Sequence, residues 1–294
     1  MAIRKRNRIE VRGVVQGVGF RPFVYQLAQR FHLSGFVCNT PDGVLIEAEG
    51  ADCRLAEFST CLTHHSPPLA EIQDVVTCEV NSLHDTEFVI RASLERPFAS
   101  VLVSPDVATC DDCRRDFTDP SDRRFGYPFT NCTNCGPRYS LIEDVPYDRA
   151  RTTMREFRMC ADCQAEYDHP GNRRFHAQPN ACPVCGPELL LVDAAGVNLP
   201  AVAAPEGPTN PNLEVIREVR RRLLQGKVVA IKGLGGFHFA CDAENDGAVT
   251  RMRALKRRSD KPFALMSADV SSVARCCVVR EADQKALLSP GVPL

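Results

Sequence analysis

A repeated set of cysteines constrains this chain more than any other feature. Two Cys-x-x-Cys pairs, Cys110/Cys113 and Cys132/Cys135, recur 50 positions later as Cys160/Cys163 and Cys182/Cys185. Two residues lie inside each pair and eighteen between the pairs of a copy. This is the spacing of a four-thiolate zinc site, in which two tight turns close a tetrahedron. The copies also share their flanks. Asp122-Arg123-Arg124-Phe125 and Asn172-Arg173-Arg174-Phe175 precede the second pairs, and both copies end in Cys-Gly-Pro. A segment so rich in Asp, Arg, Pro and Gly has little core and needs metal to hold it. Four thiolates fill the coordination shell, so two structural Zn2+ ions are expected. A disulfide framework is the alternative, but the spacing fits metal better and no secretion signal is apparent.

At 294 residues and 44% hydrophobic content the chain has room for two or three domains with proper cores. Lys and Arg number 36 against 37 Asp and Glu, so no charge excess points to nucleic acid or an anionic membrane. Met1 to Gly13 is basic but lacks the apolar stretch of a signal peptide, and no run approaches the roughly 18 residues of a membrane span. The expected location is the cytoplasm. Between Pro105 and Glu188, 11 Arg face 14 Asp or Glu, and the thiolates add further negative charge. That balance argues against a zinc-ribbon nucleic-acid module, the main rival reading, which needs a basic face. Arg114, Arg115, Arg123, Arg124, Arg173 and Arg174 are candidate outer partners of the thiolates. His169 and His176 are expected to be ordinary polar residues, and the seven other cysteines to be reduced.

In the first ninety residues the apolar pattern predicts the order β-α-β-β-α-β, with a possible extra edge strand. Ile9 and Val11 mark a first strand, and Phe23, Val24, Leu27, Ala28 and Phe31 one face of a helix. Gly35 to Asn39 and Val44 to Ala48 mark a hairpin across Pro41-Asp42-Gly43. Leu55, Phe58 and Leu62 mark a second helix, followed by strands at Ile72 to Val80 and Phe88 to Arg91. This is the ferredoxin-like arrangement. Gln16-Gly17-Val18-Gly19-Phe20 joins the first strand to the first helix, where successive backbone N–H groups and the positive helix end can cradle an anion. Arg21 stands at the mouth of that turn, able to grip a phosphate with two parallel bonds. The turn is neither a Walker loop nor a dinucleotide fingerprint. Taken alone it reads equally as a glycine hairpin, and Asn39 as a turn former.

The segment Val14 to Arg21, with Gly35-Phe36-Val37-Cys38-Asn39 and Asp42-Gly43, resembles the acylphosphatase signature over almost all of residues 1–91. The resemblance implies that Arg21 binds the phosphate and that Asn39 orients the attacking water. The substrate contacts would be Gln16, Gly17, Val18, Gly19 and Phe20.

Asp193 to Pro211 reads as a linker, and residues 212–294 as a third domain. That domain is predicted to hold a helix from near Asn212, a buried strand at Lys227 to Lys232, a second glycine turn at Gly233 to Gly236, and a helix over Ala248 to Leu255. Lys256, Arg258 and Lys261 near the glycine turn fit a phosphate-rich ligand or, equally, a solvated helix end. Val228 to Asp242 and Lys256 to Ala264 resemble the opening of the YrdC-type domain, which makes carbamoyl-adenylate-type intermediates from ATP. An acylphosphatase-like domain (1–91), a tandem four-cysteine zinc region (105–190) and an incomplete α/β YrdC-like domain (212–294) together make an α+β multidomain chain. This order resembles the hydrogenase-maturation carbamoyltransferase family. The resemblance implies carbamoyl phosphate and ATP as substrates. It further implies a maturation partner whose C-terminal cysteine receives the carbamoyl group, and a path from there to the cyanide ligand of nickel-iron hydrogenase. Lys256, Arg258 and Lys261 would belong to the adenylate pocket. Because the family has a further transferase domain, this chain is expected to be a fragment or a shortened product. It would release phosphate without forming AMP or completing transfer.

Overall fold

The computed structural model describes residues 4–94, 102–199, 210–233 and 236–289. The chain divides into two compact units, one comprising Met1–Arg124 and Phe129–Pro187, the other Phe125–Pro128 and Glu188–Leu294.

The first unit begins with β1 (Arg4–Val14), α1 (Phe20–Arg30), β2 (Ser34–Thr40), β3 (Gly43–Ala51), α2 (Asp52–His64), β4 (Glu71–Val80) and β5 (Phe88–Ile90). The sheet order is β4-β1-β3-β2-β5; all pairings are antiparallel except β5, which adds parallel to β2. The expected ferredoxin-like order is therefore present, with β5 as the added edge. Alternation decides which face is buried. Ile9, Val11, Val44, Ile46 and Ala48 point into one cluster with Val24, Leu27 and Ala28 of α1 and Leu55, Phe58 and Leu62 of α2. Each large apolar side chain buried there contributes about 1.5–3 kcal/mol. The expected α1 face is the one that packs: Val24, Leu27 and Ala28 are buried, Phe23 and Phe31 lie half-buried against the same cluster, and Phe20 joins it. β2 is buried on both faces, because Phe36 and Cys38 pack with Leu45 and Val89 on the far side.

The basic N-terminal stretch is not a solvated patch. Arg6 is completely buried, with Glu47 at 2.8 Å, Glu49 at 3.2 Å and Asp85 at 2.6 Å. A guanidinium that deep needs such partners, since an unpaired buried charge costs several kcal/mol.

The cysteine region follows with two short helices, α3 (Asp111–Thr118) and α4 (Ala161–Asp168), one in each copy. Here the expectation of two turns per site is corrected. Cys110 and Cys160 are helix N-caps, with Cys113 and Cys163 one turn inside, and only Cys132/Cys135 and Cys182/Cys185 sit on tight turns. The i, i+3 spacing puts both sulfurs on one side of a helix start, whose positive end favours thiolates.

In the second unit, Val192 and Asn198 form a bridge across a turn at the start of the expected linker. The rest of that linker, residues 200–209, lies outside the described residues. Then come α5 (Pro211–Leu224), capped by the Asn210 side chain, β6 (Val229–Gly233), β7 (Gly236–Ala240), α6 (Asp246–Lys256), α7 (Val270–Ala274) and α8 (Glu281–Leu287). The strand expected to be buried is mostly exposed. Among the described residues β6 pairs only with β7, and Ile231, Phe237 and Phe239 remain open. Leu234 and Gly235, the middle of the glycine turn, lie outside the described residues, as does the chain end at Leu294. Among the described residues no helix is long and apolar enough to cross a membrane.

Candidate functional site: an anion cradle backed by two thiolate sets

Gly17 and Gly19 adopt left-handed conformations, with φ of 74° and 76°, which glycine reaches without the penalty other residues incur. They turn the chain sharply from β1 into α1. The result is a run of amides, Gly17 to Arg21, for which no acceptor is present among the described residues. Val18 and Phe20 in this run are buried. Unpaired buried N–H groups are costly, so a run of them at a helix start marks a place built for an anion. Gln16, Gly17, Gly19, Phe20, Arg21 and Asn39 line one small cavity.

The opposite wall comes from the cysteine region, more than a hundred residues away in sequence. Arg21 is buried and donates from one nitrogen to Asp148 Oδ1 at 2.8 Å and from another to the Tyr147 carbonyl at 3.2 Å. Ser93 holds the other Asp148 oxygen. Asn39 Nδ2 donates to the same Tyr147 carbonyl at 3.3 Å, and the Tyr147 amide donates to Gln16 Oε1 at 2.8 Å. Arg21 therefore does not stand open at a mouth as its sequence position indicated; it is braced by an internal strap. Two of its five N–H donors are used, which leaves others for an anion. Asn39 Oδ1 and the Tyr147 hydroxyl are buried without partners.

Arg138 ties the cradle to the first cysteine set. It donates to the carbonyl oxygens of Gly17, Cys132 and Thr133 and is itself buried. His176 lines the cavity with a left-handed backbone, φ 53°. Burial, aided by the Arg21 charge, pushes its pKa down to about 4, so the ring is neutral at physiological pH. Neither it nor His169 belongs to a ligand set.

The eight repeated cysteines form two sets, Cys110/Cys113/Cys132/Cys135 and Cys160/Cys163/Cys182/Cys185, each with its sulfurs within 4.8 Å of one another. Zinc–sulfur bonds of about 2.3 Å give a tetrahedron with edges of about 3.8 Å. The sulfur separations of 3.8 Å for Cys110–Cys132 and Cys132–Cys135 in the first set match that edge. Those of 3.7 Å for Cys160–Cys182, 3.8 Å for Cys182–Cys185 and 3.6 Å for Cys163–Cys185 match it in the second. A disulfide bond of about 2.05 Å does not fit these distances. The donor set is thus of the right type, number and spacing for zinc.

The acylphosphatase family model matches residues 7–90, and a model described as the HypF finger matches 109–142 and 159–192. A model described as telomere recombination, of the Sua5, YciO and YrdC type, matches residues 221–293. The carbamoyltransferase HypF of Rhizobium leguminosarum bv. viciae is 48% identical over 290 residues, an alignment covering 99% of this chain and 35% of that protein. The chain belongs to the HypF carbamoyltransferase family. A crystal structure of full-length HypF in the phosphate- and nucleotide-bound form superposes with a TM-score of 0.87 at 42% identity, covering 99% of this chain and 36% of that one. The acylphosphatase of Pasteurella multocida is 39% identical over 88 residues, 29% of this chain and 97% of that protein. The chain spans about a third of the length of the HypF relatives it matches.

The three basic residues read from the YrdC-like segment lie largely at the surface. Lys256 is exposed, with its ammonium 5.3 Å from the Phe239 ring centroid. Arg258 is half-buried beside Phe263, and Lys261 is exposed. A cavity in that unit is lined instead by residues such as Leu189, Leu191, Pro211 and Val215. Of the six arginines expected near the thiolates, Arg123, Arg124 and Arg173 reach a sulfur, whereas Arg174 contacts Asp116 and Arg115 pairs with Asp112. Arg114 is exposed, and the Thr118 hydroxyl donates to its backbone carbonyl. Sequence reasoning missed Arg138, Tyr147, Asp148 and Gln178 as cradle neighbours.

Proposed function

We propose that the first unit hydrolyses acyl phosphates, with carbamoyl phosphate as the substrate in its family context. The observation that carries this reading is the run of unpaired amides from Gly17 to Arg21 in the same cavity as Arg21 and Asn39. The amides and the Arg21 guanidinium hold the phosphoryl oxygens, and Asn39 orients the water that attacks phosphorus. Arg21 and Asn39 already converge on one oxygen, the Tyr147 carbonyl, from 3.2 and 3.3 Å. A phosphoryl oxygen or the attacking water takes the place of that carbonyl when substrate enters. The leaving group is a carbamate, a weak base that needs little protonation. Positioning and charge stabilisation can then carry the reaction without a cationic acid, consistent with the neutral His176.

The two cysteine sets hold one zinc each in a structural role, and a reducing compartment, the cytoplasm, keeps their thiols free. The match over residues 221–293 supports ATP as the second substrate, with carbamoyl-adenylate formed beside Lys256, Arg258 and Lys261. The names of the relatives support carbamoyl transfer as the activity of the whole protein; in our reading the acceptor is the cysteine of a hydrogenase-maturation partner.

The role of Asn39 separates from that of Arg21 in steady-state kinetics. With acetyl or carbamoyl phosphate, Asn39→Ala is expected to lower kcat by about 100-fold while KM changes only a few-fold, because it removes a contact used on the way to the transition state. A raised KM with an unchanged kcat would show instead that Asn39 binds ground state and transition state equally and does not promote the chemical step.

A further inference from the structure

Each cysteine set receives its guanidinium from the other copy of the repeat. Arg123 lies between the two pairs of the first copy, yet it donates to Cys163 Sγ of the second at 3.0 Å, with Arg124 at 3.6 Å beside it. Both arginines pair with Glu166, at 2.9 and 2.5 Å. The reverse contact mirrors this. Arg173 of the second copy donates to Cys113 Sγ of the first at 2.9 Å, and Arg173 and Arg174 both pair with Asp116. Among the described residues no arginine of either copy donates to a sulfur of its own set.

Four thiolates around a dication leave a net charge near −2 in a partly desolvated place, where an N–H donor to sulfur lowers the energy of the filled site. The loop carrying Arg123 and Arg124 is closed by Cys113 on one side and Cys132 on the other, so a metal in the first set fixes the cations that serve the second. The loop carrying Arg173 is closed in the same way by Cys163 and Cys182. Backbone contacts stiffen the exchange: Arg124 Nε donates to the Ala181 carbonyl at 2.9 Å, and Arg174 Nε to that of Asn131 at 3.1 Å.

We propose that the two sites take up metal as one cooperative unit, with Arg123 as a positioning residue for the Cys160 set and Arg173 for the Cys110 set. The inference rests on both sets being metal sites. By linkage, each metal strengthens binding of the other by the same factor.

The test uses the full chain stripped of metal under reducing conditions and titrated with Cd2+. Native mass spectrometry counts the ions, and alkylation with peptide mapping locates the unprotected cysteines. At half saturation the wild type should consist mainly of empty and doubly filled chains. Arg173→Gln should weaken the Cys110 set by about 10- to 100-fold, and Arg123→Gln the Cys160 set by a similar factor, so the alkylated set lies in the copy that was not mutated. Arg123→Lys and Arg173→Lys, which keep a charged donor and guard against simple misfolding, should recover part of the loss. Abundant singly filled wild-type chains, or weakening confined to the copy carrying the substitution, would overturn the proposal. A wild-type chain that binds no Cd2+ would overturn the metal reading itself, and this inference with it.

Discussion

Replacing Arg21 by alanine is expected to lower kcat/KM for acyl phosphates by about 2–4 kcal/mol, roughly 30- to 1,000-fold. The guanidinium is the only cation among the cradle residues Gln16 to Arg21. Its partners fix its orientation: Asp148 on one nitrogen, the Tyr147 carbonyl on another. Arg21→Lys should recover little, because a point charge cannot hold the strap and a phosphoryl group with the same fork of donors. The unit should stay folded in both variants, since Asp148 keeps its contact with Ser93 and the apolar cluster beneath the cradle is untouched. Competitive binding of inorganic phosphate, measured beside the rates, should weaken in parallel. Wild-type rates in Arg21→Ala would place the phosphate contact elsewhere.

Metal removal is expected to have the larger structural effect. Structural zinc sites of this type contribute about 10–16 kcal/mol to folding, as much as or more than the total stability of an ordinary domain. Cys132 and Cys182 are each 1% exposed, and each closes its set from the second pair. Chelation, or Cys132→Ser, should therefore expose residues 105–190 to protease while residues 7–90, which have their own cluster and sheet, remain resistant. Hydrolysis should nevertheless fall, because Arg138 fastens the Gly17 carbonyl to the carbonyls of Cys132 and Thr133. Limited proteolysis with mass mapping, run beside a phosphate-release assay, checks both halves. A finger region that stays resistant without metal would contradict the account.

Much of this was legible in the sequence, for local reasons. A strand's two-residue period and the Pro41-Asp42-Gly43 turn fix the β2–β3 register, and the cysteine spacing fixes the ligand sets. What was not legible depends on contacts between distant parts of the chain. No spacing rule links Arg21 to Asp148, 127 positions away, or Arg173 to Cys113, 60 positions away. The packing face of α1 was legible as well; only the burial of Phe20, at the end of the glycine turn, was not read. The strand at Lys227 to Lys232 read as buried because apolar runs usually are, but a two-stranded pairing covers neither face.

The central claim is that water held by Asn39 attacks the phosphorus of a substrate seated on the Gly17 to Arg21 amides. Its most direct test is to turn over carbamoyl phosphate with this chain in water enriched in heavy oxygen, and to weigh the released phosphate. Attack at phosphorus predicts one heavy oxygen in each phosphate released by the wild type, and a rate that collapses in Asn39→Ala. Enzyme-dependent phosphate that carries no label would mean that the carbon–oxygen bond breaks instead, and would contradict the account.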